Sequence, residues 1–568
     1  MFLTPILTAG LLFFSSLAQA NHTVQFGNTT LLGSLSNNVE FYGGILYAEP
    51  PLGNLRFLPS MLKSALGSPT FNASSFGVAC LQEFIPSSSE DCLTINVFRP
   101  AGLNGTESLP VMAFIYGGGF LEGVSSLYPT TAIVAQSIGQ GTPVIYVSFN
   151  YRVGVLGFPP GREALARDAL NLGLKDQLAA LQWIQDNITI FNGDKSKVTL
   201  FGESAGAVSL AMLFLNSNLG RFARAVIFES GSPSATSMFD SAHRQSDWDN
   251  FVCAVPGCAG SLQTSDSIVC LQRVNSSAIL TASTLAWAES NEPFPWQPTI
   301  DGPIGLIPAH PFSLIAEGKF TRLPFIAGTN LNEGTYFATP LVNSTNMIRS
   351  YLIANYTSPT VPAQQLSSAI EELLELYPDI PALGAPFNTG NDTFGLSSQW
   401  KRFAAIMGDL LFISERCAWI QAASERGVKT FGYLFDDPGA QPIAAPNFSA
   451  PPPPQGTLDE IPYVYGIVPL FGGTAAAVNL STHMIDYWVS FAMSLDPNDG
   501  LGSNQMLFPD IYDHHPTDDH FQGPAWSQYT CDDQHLLQLN SVNLTMIPDD
   551  YRVEQMGFIN SHAEVFSL

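Results

Sequence analysis

Ser204 stands in the run Val198-Thr199-Leu200-Phe201-Gly202-Glu203-Ser204-Ala205-Gly206, a strand-like segment entering G-x-S-x-G and then a helix pattern, Ala207 to Leu215. That context is what a nucleophile elbow needs, a sharp turn whose flanking glycines hold the serine exposed above a sheet edge. The backbone N–H of Ala205 would point at an oxyanion developing on a bound carbonyl group. A second element, Tyr116-Gly117-Gly118-Gly119-Phe120, follows another strand-like run. Glycines there let backbone N–H groups approach a substrate carbonyl oxygen. The two motifs together point to acyl transfer through a serine.

The elements that must position these groups are legible as short apolar runs alternating with helical patterns, the mark of an α/β architecture. Buried strands are expected at Pro110 to Tyr116, Pro143 to Phe149, Val198 to Gly202, Ala225 to Glu229, Pro324 to Gly328 and Thr430 to Phe435. Their continuous apolar character suits a mostly parallel sheet covered by helices. Leu172 to Asn187 carries Leu174, Leu178, Leu181, Trp183 and Ile184 at helical spacing, and Glu371 to Leu376 sits in another helix pattern. Ser232 to Asn291, rich in Ser and Asp with three cysteines, reads as a cap over the sheet. Pro438 to Gly456, with the run Pro451 to Pro454, reads as a surface loop, because proline prevents a helix or an inner strand.

The 568 residues carry a net charge of −26, which argues against nucleic acid and against an electrostatic hold on anionic lipid. Hydrophobic residues make up 46% and charged residues 12%, the reverse of a disordered composition. Phe2 to Leu17 is nearly all apolar and ends in Ala18-Gln19-Ala20, which reads as a secretory signal peptide over residues 1–20. Residues 21–568 are then expected to form a single hydrolase-type domain without a membrane anchor. Asn-x-Ser/Thr sequons at Asn21, Asn28, Asn72, Asn104, Asn187, Asn275, Asn343, Asn355, Asn391, Asn447, Asn479 and Asn543 predict a surface carrying N-linked glycans. Seven cysteines in an oxidising compartment imply disulfides with one left over, and none is arranged as a zinc site.

The chain resembles the type-B carboxylesterase/lipase family, the cholinesterase-like α/β-hydrolases, and most closely their secreted fungal members. Besides the elbow and the glycine run, the resemblance is carried by Glu90-Asp91-Cys92-Leu93-Thr94-Ile95-Asn96-Val97, by Asn150-Tyr151-Arg152-Val153-Gly154-Val155-Leu156-Gly157-Phe158, and by Asn171-Leu172-Gly173-Leu174-Lys175-Asp176-Gln177. Phe191-Asn192-Gly193-Asp194 and Ala327-Gly328-Thr329-Asn330-Leu331-Asn332-Glu333-Gly334 follow in the family's order. The resemblance implies an α/β-hydrolase fold, a small-molecule ester substrate, no cofactor and no metal. It implies Ser204 as nucleophile, Glu333 as triad acid, and Gly118, Gly119 and Ala205 as oxyanion donors. It also implies the disulfides Cys80–Cys92 and Cys258–Cys270, with Cys253, Cys417 and Cys531 left over, and a structural ion pair between Glu90 and Arg152.

One position departs from that pattern. The family's catalytic histidine lies in a glycine-containing loop just before a segment that here reads Glu460-Ile461-Pro462-Tyr463-Val464-Tyr465-Gly466, and Thr457 occupies its place. No histidine occurs between His310 and His483. A serine is a poor nucleophile until a base takes its proton, and the imidazole also protonates the leaving group. In a related serine hydrolase its loss lowers turnover by on the order of 10⁶. Three readings follow: rescue by His483, His514, His515 or His520; a non-hydrolytic enzyme of dehydration, cyclisation or acyl transfer, with Glu333 or Asp459 as base; or a binding protein on the same fold. Ester hydrolysis leads, since the nucleophile half of the machinery is whole.

Overall fold

The computed structural model describes residues 22–568 apart from 129, 216–218, 291, 293, 359, 441–455, 457 and 499–522. Its centre is an 11-stranded sheet. In chain order the strands are β1 (Ser34–Ser36), β2 (Val39–Leu46), β3 (Thr94–Pro100), β4 (Leu109–Ile115), β5 (Ile145–Phe149), β6 (Gly193–Glu203), β7 (Ala225–Glu229), β8 (Phe325–Asn330), β9 (Thr430–Phe435), β10 (His535–Leu539) and β11 (Thr545–Pro548). Across the sheet they run β11-β10-β9-β8-β7-β6-β4-β5-β3-β2-β1. Every pair from β10 to β5 is parallel, and the pairs at both flanks are antiparallel. Strands β4, β5, β7, β8 and β9 are buried throughout, as their unbroken apolar character requires when helices cover both faces.

The helices that bear on the site are α1 (Leu172–Asn187), α2 (Ala205–Phe214), α3 (Gln245–Ala254), α4 (Ser276–Glu289), α5 (Thr345–Tyr356), α6 (Ser398–Gly408) and α7 (Ala475–Ser494). Helix α2 is buried along its whole length, because it runs from the middle of the sheet under the elbow. The expected cap holds α3 and α4, and a second hydrophobic core forms among α5, α6 and the C-terminal Val565, Phe566 and Leu568. No helix among the described residues is long and apolar enough to cross a membrane. The leader and all but the ends of the proline-rich loop lie outside the described residues.

The expected Glu90–Arg152 ion pair is not what forms. Glu90 takes a two-pronged contact from Arg56, with Nε and Nη2 donating to its two oxygens at 2.7 Å each. Arg152 instead holds Asp176 of α1, at 2.7 Å to each oxygen. Each guanidinium thus meets a carboxylate fork to fork, the geometry that sustains a buried pair. Arg56 also donates to the carbonyls of Leu271 and Val274, which ties the cap to the body.

Cys80–Cys92 and Cys258–Cys270 are joined, with Cα separations of 4.9 and 5.7 Å, and Cys253, Cys417 and Cys531 are free thiols. The first bridge adjoins the loop that follows the glycine run. Gln82, two residues on, donates to the carbonyls of Cys80 and Gly123 and accepts from the N–H of Gly123. Removing this bridge in a Cys80→Ser/Cys92→Ser variant is expected to lower unfolding stability by about 3 kcal/mol, the loop-closure value for a short loop. Denaturant unfolding of both proteins under non-reducing conditions reads this directly.

Candidate active site

Ser204 sits between β6 and α2 with φ 50° and ψ −126°, a conformation that non-glycine residues rarely adopt. The packing around it enforces that turn. A Cβ on Gly206 would lie 2.0 Å from the carbonyl oxygen of Ile115, so only glycine lets α2 start this close to β4. The N–H of Ser204 donates to Glu229 O at 2.9 Å, and its carbonyl accepts from Val208 at 2.8 Å, which holds the turn from both sides. Strain fixed by the surroundings in this way is a common mark of reactive groups.

A cavity of about 360 Å³ opens above this turn. Ser204, Gly118, Gly119 and Ala205 all line it, so the structure brings the expected nucleophile and oxyanion donors to one wall. Gly118 and Gly119 have φ of 107° and 60°, and a Cβ on Gly119 would strike Phe294 at 2.8 Å. The rest of the lining includes many aromatic residues, with Trp287 and Phe294 from the cap region and Tyr336, Phe337 and Phe412 from outside it. Glu122 and Glu292 are the charged residues among the lining groups. Glu292 is held by Arg244 at 3.0 Å and His243 at 3.3 Å, which keep it below the ordinary glutamate range against the opposing pull of burial. Burial pushes the Glu122 carboxyl up.

Glu333 lies just after β8 in a buried turn, where its Oε1 accepts from the N–H of Asn330 at 2.7 Å. It does not line the cavity but belongs to a set of buried glutamates beneath it. Glu460 accepts from Asn330 Nδ2 at 2.5 Å and from Ser230 Oγ at 3.5 Å. Glu229 accepts from Trp488 Nε1 at 2.6 Å. Glu203, next to Ser204, is fully buried, and among the described residues neither of its oxygens has a hydrogen-bond partner. Burial first, then the charges of neighbouring glutamates, pushes Glu203 and Glu229 well up and Glu460 to about 8. Glu203, Glu229 and Glu460 are not legible in the sequence as a set, because they come from two strand ends and a turn; the one local signal is Glu203 inside the elbow motif.

Thr457 lies outside the described residues, and its neighbours frame the place. The carbonyl of Gly456 accepts from Asn330 at 2.8 Å, while Leu458 lines the cavity with Ser204. Leu458 has φ 80°, the left-handed region that favours glycine. Asp459 is buried and does not line the cavity; its Oδ2 accepts from the N–H of Gly456 at 2.8 Å. Among the described residues no histidine lines the cavity. His483 is on α7, away from the cavity wall, and burial lowers its pKa. His514, His515 and His520 lie outside the described residues.

The carboxylesterase family model matches residues 21–559. The chain belongs to the carboxylesterase family. Among its relatives, Lipase 1 of Geotrichum candidum is 30% identical over 99% of both chains, and the secreted triacylglycerol lipase LIP1 of Gibberella zeae is 32% identical over 96% of this chain and 91% of its own. Aspergillus niger EstA shares the fold, with a TM-score of 0.77 at 24% identity over 97% of this chain and 99% of its own. A PNB esterase follows at a TM-score of 0.72 and 26% identity over 95% and 100%. The fold is therefore the α/β-hydrolase fold expected from the sequence, and membership of this family supports ester hydrolysis as the general activity.

Of the twelve sequons, Asn28, Asn72, Asn104, Asn275, Asn343, Asn391, Asn479 and Asn543 are exposed, and Asn21 and Asn447 lie outside the described residues. Asn187 is half-buried. Asn355 is also half-buried and lines the cavity, where a glycan would fill the space available to substrate.

Proposed function

We propose that this carboxylesterase-family protein hydrolyses small, fairly apolar carboxylic esters through Ser204, with Gly118, Gly119 and Ala205 binding the oxyanion. The observation that carries the reading is the strained elbow at Ser204, facing the same cavity as those three donors. Its volume of about 360 Å³ is at the small end for ligand pockets. Aromatic walls suit an apolar acyl or alcohol group, and the acidic lining residues Glu122 and Glu292 disfavour an anionic one. Thr457 in the expected histidine position makes the turnover slow. Residues 21–568 act as one domain, secreted and glycosylated, in keeping with secreted lipases among the relatives.

Wild type and Ser204→Ala assayed on a short-chain aryl ester test this. Slow turnover that falls to the enzyme-free rate in Ser204→Ala is the expected result, with weak organophosphate labelling confined to Ser204. Turnover that Ser204→Ala leaves unchanged would refute it. A second reading, a non-hydrolytic enzyme of dehydration, cyclisation or acyl transfer or a binding protein on this fold, is favoured by the lack of any histidine on the cavity wall among the described residues. Loss of an independently measured activity in Glu333→Gln would then separate enzyme from binding protein.

A further inference from the structure

We propose that Glu203 is the proton acceptor for Ser204, in the role a histidine would otherwise fill; this rests on the ester-hydrolase reading above. The geometry starts at Gly117. The point where a Cβ on Gly117 would sit is 2.7 Å from Glu203 Oε2 and 2.9 Å from Ser204 Cβ, so the carboxyl and the serine side chain flank one spot beneath the glycine run. That is close enough for proton transfer through one water.

The other buried glutamates each have at least one oxygen engaged: Glu333 by the N–H of Asn330, Glu460 by Asn330 and Ser230, and Glu229, through Oε1 alone, by Trp488. Among the described residues, both oxygens of Glu203 have no protein donor although the residue is fully buried. An orphaned buried carboxyl is costly and calls for a functional explanation. Glu460, Glu333 and Glu229 face it and disfavour its charge, while Tyr128, Tyr151, Tyr336 and Tyr433 sense it from the surrounding elements. A carboxyl so placed becomes a base at higher pH than an ordinary glutamate, which strengthens it as a proton acceptor.

In the first half-reaction the Glu203 carboxylate takes the Ser204 Oγ proton, through the water, as Oγ bonds to the ester carbonyl carbon. The tetrahedral intermediate collapses, the C–O bond to the alcohol breaks, and the departing alkoxide takes the proton back from Glu203. In the second half a water bonds to the acyl carbon and yields its proton to Glu203. The bond to Ser204 then breaks, and Oγ recovers the proton. One ester and one water become one acid and one alcohol.

The test compares pH–rate profiles of wild type, Glu203→Gln, Glu203→Asp and Ser204→Ala on a short-chain aryl ester, before and after imidazole modification with diethylpyrocarbonate. Wild-type kcat is expected to rise with pH through an ionisation above the ordinary glutamate range and to resist the reagent. Glu203→Gln should lose on the order of 10²-fold in kcat with little change in KM, and lose the ionisation limb. Glu203→Asp should retain the limb at a reduced rate. Glu203→Gln should melt no lower than wild type at pH 8, because a carboxyl whose folded pKa is raised opposes folding as pH rises through that pKa. Turnover abolished in Ser204→Ala but unchanged in Glu203→Gln overturns the Glu203 role and leaves ester hydrolysis standing. Turnover indifferent to Ser204→Ala overturns both. Should Glu203→Gln not fold, a wild-type profile flat across pH 5 to 9, or inactivated by the imidazole reagent, overturns the role of Glu203.

Discussion

Gly206→Ala is expected to abolish ester turnover and to lower unfolding stability by about 4 kcal/mol, at the exceptional end for a single methyl. The added Cβ would sit 2.0 Å from Ile115 O, 2.7 Å from Ile115 C and 2.8 Å from Tyr116 O. All three are backbone atoms, at the point where β4 leads into the glycine run, so no side chain can turn aside to make room. Relief requires α2 and the elbow to lift away from the sheet. Ser204 would move with them and the proposed donors at Gly118 and Gly119 would not. A displacement of about 1 Å at a reacting atom costs on the order of 10²-fold in rate by itself. Gly557 supplies the control: it lies in the helix Val553–Ser561, and a Cβ there meets nothing within 4 Å. Gly557→Ala should gain up to about 1 kcal/mol, since alanine is the better helix former. Thermal melts and aryl-ester assays of the two variants decide the matter. A Gly206→Ala protein with wild-type melting and turnover would show that the elbow does not press on β4 as described.

Much of this frame is legible in the sequence where burial is continuous. Ala225 to Glu229 and Thr430 to Phe435 coincide with β7 and β9, and Leu172 to Asn187 with α1, because the strands are mostly apolar and the helix shows an unbroken period. Strand β6 is longer than its apolar run. It starts at Gly193, which pairs with Leu109, and Asp194 to Lys197 bulge out of the ladder before Val198 pairs with Val111. Strands β10 and β11 escape a reading based on apolar runs, since each is short and β11 has no fully buried residue. Ion-pair partners are the least legible feature. Arg56 and Asp176 each lie in stretches with their own local logic, and only the packing of cap and body decides which carboxylate each arginine meets. The same holds for the cavity wall, where Tyr351, Asn355 and Tyr356 of α5 come from a helix with no chemistry-bearing motif. Ser204, Gly118 and Gly119 are legible because the positive-φ turns they occupy suit few residue types.

Thr457→His is expected to raise kcat/KM on a short-chain aryl ester by about 10²–10⁴-fold, the usual contribution of a positioned acid–base group. The neighbours of residue 457 join the two halves of the site. Gly456 is tied by its carbonyl to Asn330, whose N–H holds Glu333, and a Cβ on Gly456 would lie 2.9 Å from Thr335 in the Glu333 turn. Leu458 lines the cavity with Ser204. An imidazole between them would have a carboxylate on one side and the serine on the other, the order a triad uses. Leu458 opposes full recovery. Its φ of 80° costs about 1–2 kcal/mol in a leucine, and its side chain takes up cavity space. Thr457→His/Leu458→Gly removes both obstacles and should exceed the single variant. The new activity should require neutral imidazole, so it should fall as pH drops through the histidine pKa, near 6.5 before the nearby glutamates raise it. It should also become sensitive to diethylpyrocarbonate, unlike the parent. No gain in either variant, with both folded and Ser204 intact, would show that the loop at 456–458 does not present its central residue to Ser204. The absence of an inherited histidine would then no longer account for slow hydrolysis.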